Sequence, residues 1–185
     1  MLTDFATITT GHHFRGRVPS TEGGTLAVVQ MKNIDERGVI QADRLDRICP
    51  FPRYDKYLLR QGDVLVLSRG TRNTASLVPS EFPVAIAASY FTIIRVRDDI
   101  ILPEYLAIFL NHSKTQNRIR EMVRGTTLPT ESLNNLGKLL VSVPSLERQR
   151  LLVELDHQCR HAEKLEETIQ AKRRELVERE MGRLV

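Results

Sequence analysis

The most regular hydrophobic pattern in the chain runs from Ser145 to Val185. This stretch contains no proline and no glycine before Gly182. Apolar or small side chains recur on one helical face, and the members spaced by seven are Leu155, Ala162, Ile169 and Leu176. That spacing predicts a single amphipathic helix with a coiled-coil seam. At 1.5 Å per residue the helix would be about 60 Å long, so it would project from a small domain and pair with another helix.

The predicted seam is interrupted by charge in its second half. Glu166, Lys172 and Arg173 fall among the apolar positions. A long parallel pair would suffer from these charges, whereas an antiparallel pair sets them against opposite charges. An antiparallel pairing with another helix is therefore favoured, and the predicted contacting residues are Leu152, Leu155, Cys159, Ala162, Leu165, Ile169 and Leu176.

Residues 1–144 carry a different pattern, in which short apolar or alternating runs are separated by polar turns. Such runs are typical of β-strands, which we predict at residues 4–9, 25–31, 38–40, 45–49, 64–67, 84–87, 89–96 and 139–143. Short helices are predicted over 103–112, which opens with Pro103, over 114–123, and from Thr130. The predicted fold class is α+β: a mixed, β-rich domain over 1–144, followed by one long helix over 145–185.

Composition narrows the class of protein. With 185 residues, of which 41% are hydrophobic, the chain can build one core and an appendage. The two cysteines, Cys49 and Cys159, lie far apart, which argues against a disulfide framework and for a reducing compartment. The first residues show no signal peptide, and no apolar run approaches the about 20 residues of a membrane span. We therefore expect a cytoplasmic protein.

The charge is distributed unevenly between the two predicted parts. Residues 145–185 contain nine Lys/Arg and nine Asp/Glu, so residues 1–144 carry the whole net charge of +4. Fourteen of the 18 basic residues of this first part are arginines, whose planar guanidinium suits phosphates and guanine edges. The surplus points to a nucleic-acid partner, although an ordinary solvated surface explains it as well.

Three polar loops contain a glycine among side chains suited to DNA, around Gly16, Gly70 and Gly125. Glycine lets the backbone approach a ligand closely, and arginine and asparagine fit base edges. Unliganded surface loops have a similar composition, so both interpretations stay open. With a lysine that follows a predicted strand, the candidate DNA contacts are Arg15, Arg17, Lys32, Arg69, Arg72, Asn73, Arg124, Thr126 and Thr127.

Histidine patterns raise the question of a metal site. His12 and His13 are adjacent, so their side chains point apart on an extended chain. On the predicted helix, Glu154 and His157 form an E-x-x-H pair, and His157 and His161 are four apart. A di-metal bundle needs carboxylates from neighbouring helices, so a solvated helix face is the favoured interpretation. Because the sequence also lacks a nucleophile turn and a G-K-S/T phosphate loop, we predict a non-catalytic protein without metal or cofactor.

An ordered set of motifs resembles the specificity subunit of Type I restriction–modification systems. The motifs are YLLRQGDVLVLSRGTRNTA at 57–75, ILPEYLAIFLNHSKTQNRI at 101–119 and RGTTLPTESLNNLGKLLVSVPSLERQRLLVEL at 124–155, followed by a long charged helix. Each is short, but their order and spacing over residues 57–165 are specific. The first 56 residues match less well, as expected of a variable part that recognises the target.

The resemblance implies a role for each part of the chain. The first part would be a target recognition domain that reads half of a two-part DNA sequence, and the helix would be the spacer that docks methyltransferase subunits. Family members carry two of each, so this chain resembles a half-subunit, natural or truncated, that forms a two-fold dimer on an interrupted palindrome. Methylation and its S-adenosylmethionine would belong to the partner. The alternative is a non-catalytic coiled-coil adaptor that binds protein rather than DNA.

Overall fold

The computed structural model describes residues 1–67, 73–97, 99–123 and 135–183. Within them the strands are β1 Ala6–Thr10, β2 Leu26–Val29, β3 Asp46–Ile48, β4 Val64–Leu67, β5 Ala75–Leu77, β6 Ala85–Ala87 and β7 Phe91–Val96. The helices are α1 Pro103–Asn111, α2 Ser113–Val123 and α3 Leu146–Met181, and single 3-10 turns occur at Leu2–Asp4, Met31–Asn33, Ala42–Arg44 and Tyr54–Tyr57. The predicted α+β class is confirmed. The start of the helix predicted at Thr130 lies outside the described residues.

Two sheets build the body of the molecule. One is antiparallel with the order β1-β7-β4-β5, and the other is mixed with the order β3-β2-β6, in which β2 pairs parallel to β6. The central strand β4 is an uninterrupted apolar run because both of its faces are covered. Val64 and Val66 belong to a cluster with α1, whereas Leu65 and Leu67 belong to a cluster with β2 and β7.

Helix α1 covers one face of the four-stranded sheet and protects its edge. Leu106 and Leu110 are buried in the core, which fixes the orientation of the helix. At its end, the Asn111 side chain accepts from the Ala75 backbone N–H at 2.9 Å and donates to the Ala75 carbonyl at 2.8 Å. The Asn111 amide thus bonds the outward-facing backbone N–H and carbonyl of Ala75 on the edge strand β5, as a neighbouring strand would. The edge is therefore blocked against further strand pairing at this position.

The strand predicted at 139–143 is wrong. Leu139 is buried, Leu140 and Val143 are exposed, and among the described residues this segment pairs with no strand. The Tyr105 hydroxyl donates to the Ser142 carbonyl at 2.8 Å, so part of the segment bonds to α1. Leu139 and Val141 pack into the core cluster that contains Leu2 and Tyr105, so the apolar run reflects burial without strand pairing.

The strand predicted at 38–40 is reduced to an isolated bridge at Ile40. A turn takes its place because the Asp35 carboxylate accepts from the backbone N–H groups of Arg37 and Val39, at 2.9 and 2.8 Å. A side chain that bonds its own backbone in this way competes with strand pairing.

Helix α3 begins as the sequence predicted and extends about 54 Å at 1.5 Å per residue. The Ser145 hydroxyl accepts from the Arg148 N–H at 3.4 Å and caps the first turn. Val153 packs against the core of the body, so the first part of α3 is docked. Among the described helices, none is long and apolar enough to cross a membrane.

The fully buried Gln149 joins α3 to the body. Its Oε1 accepts from the Leu102 N–H at 2.8 Å, and its Nε2 donates to the carbonyls of Pro144 and Ile100, at 2.8 and 3.1 Å. One side chain thus satisfies three backbone groups at the start of α1 and at the entry to α3. The direction in which α3 leaves the body is therefore set by a specific polar contact as well as by apolar packing.

Candidate nucleic-acid interface

The structure describes four of the nine predicted DNA contacts. Arg15, Arg17 and Lys32 are exposed, and Asn73 is buried. The other five lie outside the described residues: Arg69, Arg72, Arg124, Thr126 and Thr127. All nine remain predictions.

Lys32 contacts the carboxylate of Asp46, and Arg17 is close enough for its charge to act on that carboxylate. Lys32 Nζ lies 2.7 Å from Asp46 Oδ2, and Gln30 Nε2 donates to the same oxygen at 2.6 Å. The hydrogen bond from Lys32 lowers the pKa of Asp46 most, and Gln30 and the charge of Arg17 lower it further, against desolvation that raises it. Asp46 is therefore ionised at neutral pH and fixes the position of Lys32 on the surface.

A buried asparagine that the sequence analysis missed supports this group. Asn33 accepts from the Gln30 N–H at 2.8 Å and donates to the Arg44 carbonyl at 2.8 Å. It therefore joins the turn that carries Lys32 to the segment that leads into Asp46. An asparagine four residues after the end of β2 could have indicated this role, because asparagine side chains often close turns.

Asn73 has different surroundings. Only 5% of Asn73 is exposed, and its backbone carbonyl accepts from Gln116 Nε2 at 2.9 Å. The same Nε2 also donates to the Leu110 carbonyl at 2.7 Å. The described contacts of Asn73 are thus with α2, and the structure does not bring it to the group around Asp46.

The two adjacent histidines have separate surroundings. The ring of His12 lies 4.4 Å from Phe51, 4.7 Å from Phe14 and 4.9 Å from Tyr57, measured between ring centroids. Burial lowers the pKa of His12, and His13 lowers it further, so the neutral ring is favoured. No group of three His, Cys, Asp or Glu suited to a metal occurs in the described ranges. The aromatic contacts give His12 a packing role.

The predicted seam of α3 lies on a different side from the residues that face the body. Gln149, Val153 and Arg160 contact the body, and their spacing places them on one face at about 100° per residue. The large seam residues are 38% to 56% exposed, and they are Leu152, Leu155, Leu165, Ile169 and Leu176. Cys159 and Ala162 are exposed too. The body of the same chain therefore leaves this apolar face uncovered, and its pairing with a second copy stays a prediction.

Comparison with known proteins identifies the fold. No protein-family model matches the chain, and no curated protein matches it. A crystal structure of the HsdS subunit from Thermoanaerobacter tengcongensis has a TM-score of 0.62 and 25% identity, over 89% of this chain and 43% of HsdS. A structure concerned with complex assembly and conformational transition of the type I R-M system has a TM-score of 0.64 and 21% identity, over 89% and 42%.

The fold is therefore that of a component of type I restriction–modification systems. More narrowly, it is the fold of their HsdS specificity subunits, as the motifs over residues 57–165 predicted. The chain spans less than half the length of either of these structures.

Proposed function

We propose that this chain is a cytoplasmic, sequence-specific DNA-binding subunit of a type I restriction–modification complex and reads one half of a two-part target. The observation that carries the proposal is the HsdS-type fold over 89% of the chain. The domain of residues 1–144 recognises DNA, and the helix of residues 145–185 sets the distance to a second domain. Catalysis is not assigned to this chain, and methylation resides in a methyltransferase partner together with its cofactor.

The surface of the body supports DNA binding. Arg15, Arg17 and Lys32 are exposed, and Asp46 orders Lys32. Cations on the surface bind phosphates and fix the register of the protein on the duplex, while the loops at 69–73 and 124–127 would contact bases. A good bidentate base contact adds about 1–3 kcal/mol of discrimination.

The uncovered seam supports a second copy as the partner of α3. This chain matches 43% of the HsdS subunit, so that subunit is long enough for two such units. Two copies joined through antiparallel α3 helices would present two identical recognition domains about a closed two-fold axis. Such a dimer requires an interrupted palindrome as its target.

The first experiment measures binding of the purified chain to a random-sequence duplex pool by gel shift. It is repeated with a methyltransferase subunit if one is encoded beside this chain and co-purifies with it. We expect binding that weakens steeply as salt rises, because phosphate contacts release counterions. Absence of binding at low salt in both forms would refute the proposal and favour the protein-binding adaptor.

A further inference from the structure

A polar cleft of about 310 Å³ lies where α2, α3 and the turn after Asp35 meet. Three of its lining residues are arginines from three separate segments of the chain, and the full lining is Glu36, Arg37, Thr74, Asn111, Gln116, Arg120 and Arg160. We propose that this cleft binds a phosphate group and, if the proposed function holds, that this group is a phosphodiester of the DNA backbone. The root of α3 then takes part in DNA binding.

Two of the arginines are held in place by carboxylates outside the cleft. Arg37 pairs with Glu167, and Arg160 Nε donates to Asp156 Oδ2 at 2.6 Å. Arg160 Nη1 also donates to the Arg37 carbonyl at 3.3 Å. The backbone of Arg37 is fixed as well, since Asp35 closes its turn. These two guanidiniums are thus ordered before any ligand arrives, which reduces the entropy cost of binding.

Donors remain for a ligand after these pairings. A guanidinium has five N–H groups, and each pairing with a carboxylate or carbonyl occupies only some of them. Arg120 is exposed, and its described partner is Asn117, one turn earlier in α2. The amides of Asn111 and Gln116 donate to backbone carbonyls, so the arginines supply the main donors.

The lining contains one carboxylate, that of Glu36, against three guanidiniums. Because Glu167 and Asp156 pair with Arg37 and Arg160, the cleft has little net positive charge, and its preference for phosphate comes from geometry. Planar guanidinium forks match the non-bridging oxygens of a phosphate better than ammonium groups do. A carboxylate ligand would make the same contacts with fewer acceptor oxygens. The observations therefore favour phosphate.

The position of the cleft identifies the source of the phosphate. Thr74 follows the segment 68–72, and Arg120 precedes the segment 124–134 by a few residues. These segments contain the two glycine loops that we predict to contact bases. Both segments are joined to lining residues by short stretches of chain, so the backbone of a duplex bound by these loops is the source of phosphate that we propose.

The test compares Arg120→Gln with Arg118→Gln in the full chain. Arg118 is an exposed arginine of the same helix that does not line the cleft, so it controls for net charge. Binding to a random-sequence duplex pool is measured over a series of salt concentrations. We expect Arg120→Gln to weaken binding about tenfold at low salt, the low end for a hydrogen bond to a charged group. It should also reduce the slope of log affinity against log salt by about 0.9, the loss of one phosphate contact.

A second measurement separates the cleft from the proposed function. Inorganic phosphate should raise the thermal unfolding temperature of the wild-type chain and of Arg118→Gln, but not that of Arg120→Gln. If the wild type binds DNA while both variants behave alike in both measurements, the cleft proposal is overturned and the proposed function stands. If the wild type binds no duplex but phosphate stabilisation depends on Arg120, the proposed function fails and the cleft takes free phosphate.

Discussion

Replacing Gln149 with leucine should destabilise the protein more than any exposed substitution on α3. Leucine has a similar volume, but it leaves the Leu102 N–H and the carbonyls of Ile100 and Pro144 without the partner that Gln149 supplies. Each buried polar group that loses its partner lowers the free energy of unfolding by about 1–3 kcal/mol. Because the carbonyls can be partly hydrated, we expect a total loss of about 3–5 kcal/mol. That is a large share of the about 5–15 kcal/mol by which a domain of this size is stable.

Urea denaturation, followed by circular dichroism, measures this difference. The matched control is Gln158→Leu, because Gln158 is an exposed glutamine of the same helix that donates to Glu154 at 2.6 Å. A surface change of this kind should stay within about 0.5 kcal/mol of the wild type. If Gln149→Leu unfolds at the same urea concentration as Gln158→Leu, the assignment of Gln149 as the residue that fixes α3 to the body is wrong.

Three further predictions concern the seam, the basic surface and His12. The double variant Leu155→Glu, Ile169→Glu places charge on the exposed seam, so light scattering should show a monomer where the wild type is a dimer. A wild-type monomer at micromolar concentration would contradict the pairing. Asp46→Asn removes a negative charge and the partner of Lys32, so non-specific DNA affinity should stay equal or rise, while discrimination between target and random duplexes should weaken. Unchanged discrimination would show that holding the Lys32 side chain in place does not matter for recognition. Because the folded state lowers the pKa of His12, the protein should lose stability as the pH drops below 6.5, the pKa of histidine in the unfolded chain. His12→Phe should reduce this acid sensitivity in thermal unfolding. An unchanged pH profile would argue against a neutral, packed ring.

The sequence predicted those elements whose signals are local. The strand at 64–67 has the predicted bounds because an apolar run follows the turn at Gly62–Asp63. The helix opened by Pro103 and the long helix capped by Ser145 were also found from local signals. Residues 139–143 were misassigned because an apolar run records burial, and Leu139 and Val141 pack into the core without pairing to a strand.

The polar contacts that fix the site were not predictable in the same way. Gln149 bonds to a backbone N–H 47 residues earlier, and Arg160 bonds to a carbonyl 123 residues earlier. No regular sequence spacing indicates either of these hydrogen bonds. The contact of Lys32 with Asp46 has the same origin, because pairing of β2 with β3 brings the turn after β2 close to Asp46. Tertiary pairing therefore determined which of the predicted arginines and lysines share a surface.

We propose that two copies of this chain read identical half-sites on DNA. The most direct measurement is repeated selection of bound duplexes from a random-sequence pool by the purified complex, followed by sequencing of the selected DNA. We expect enrichment of an interrupted palindrome whose two halves are separated by a constant spacing. Selected sequences that show no shared motif, or one unrepeated motif, would contradict it.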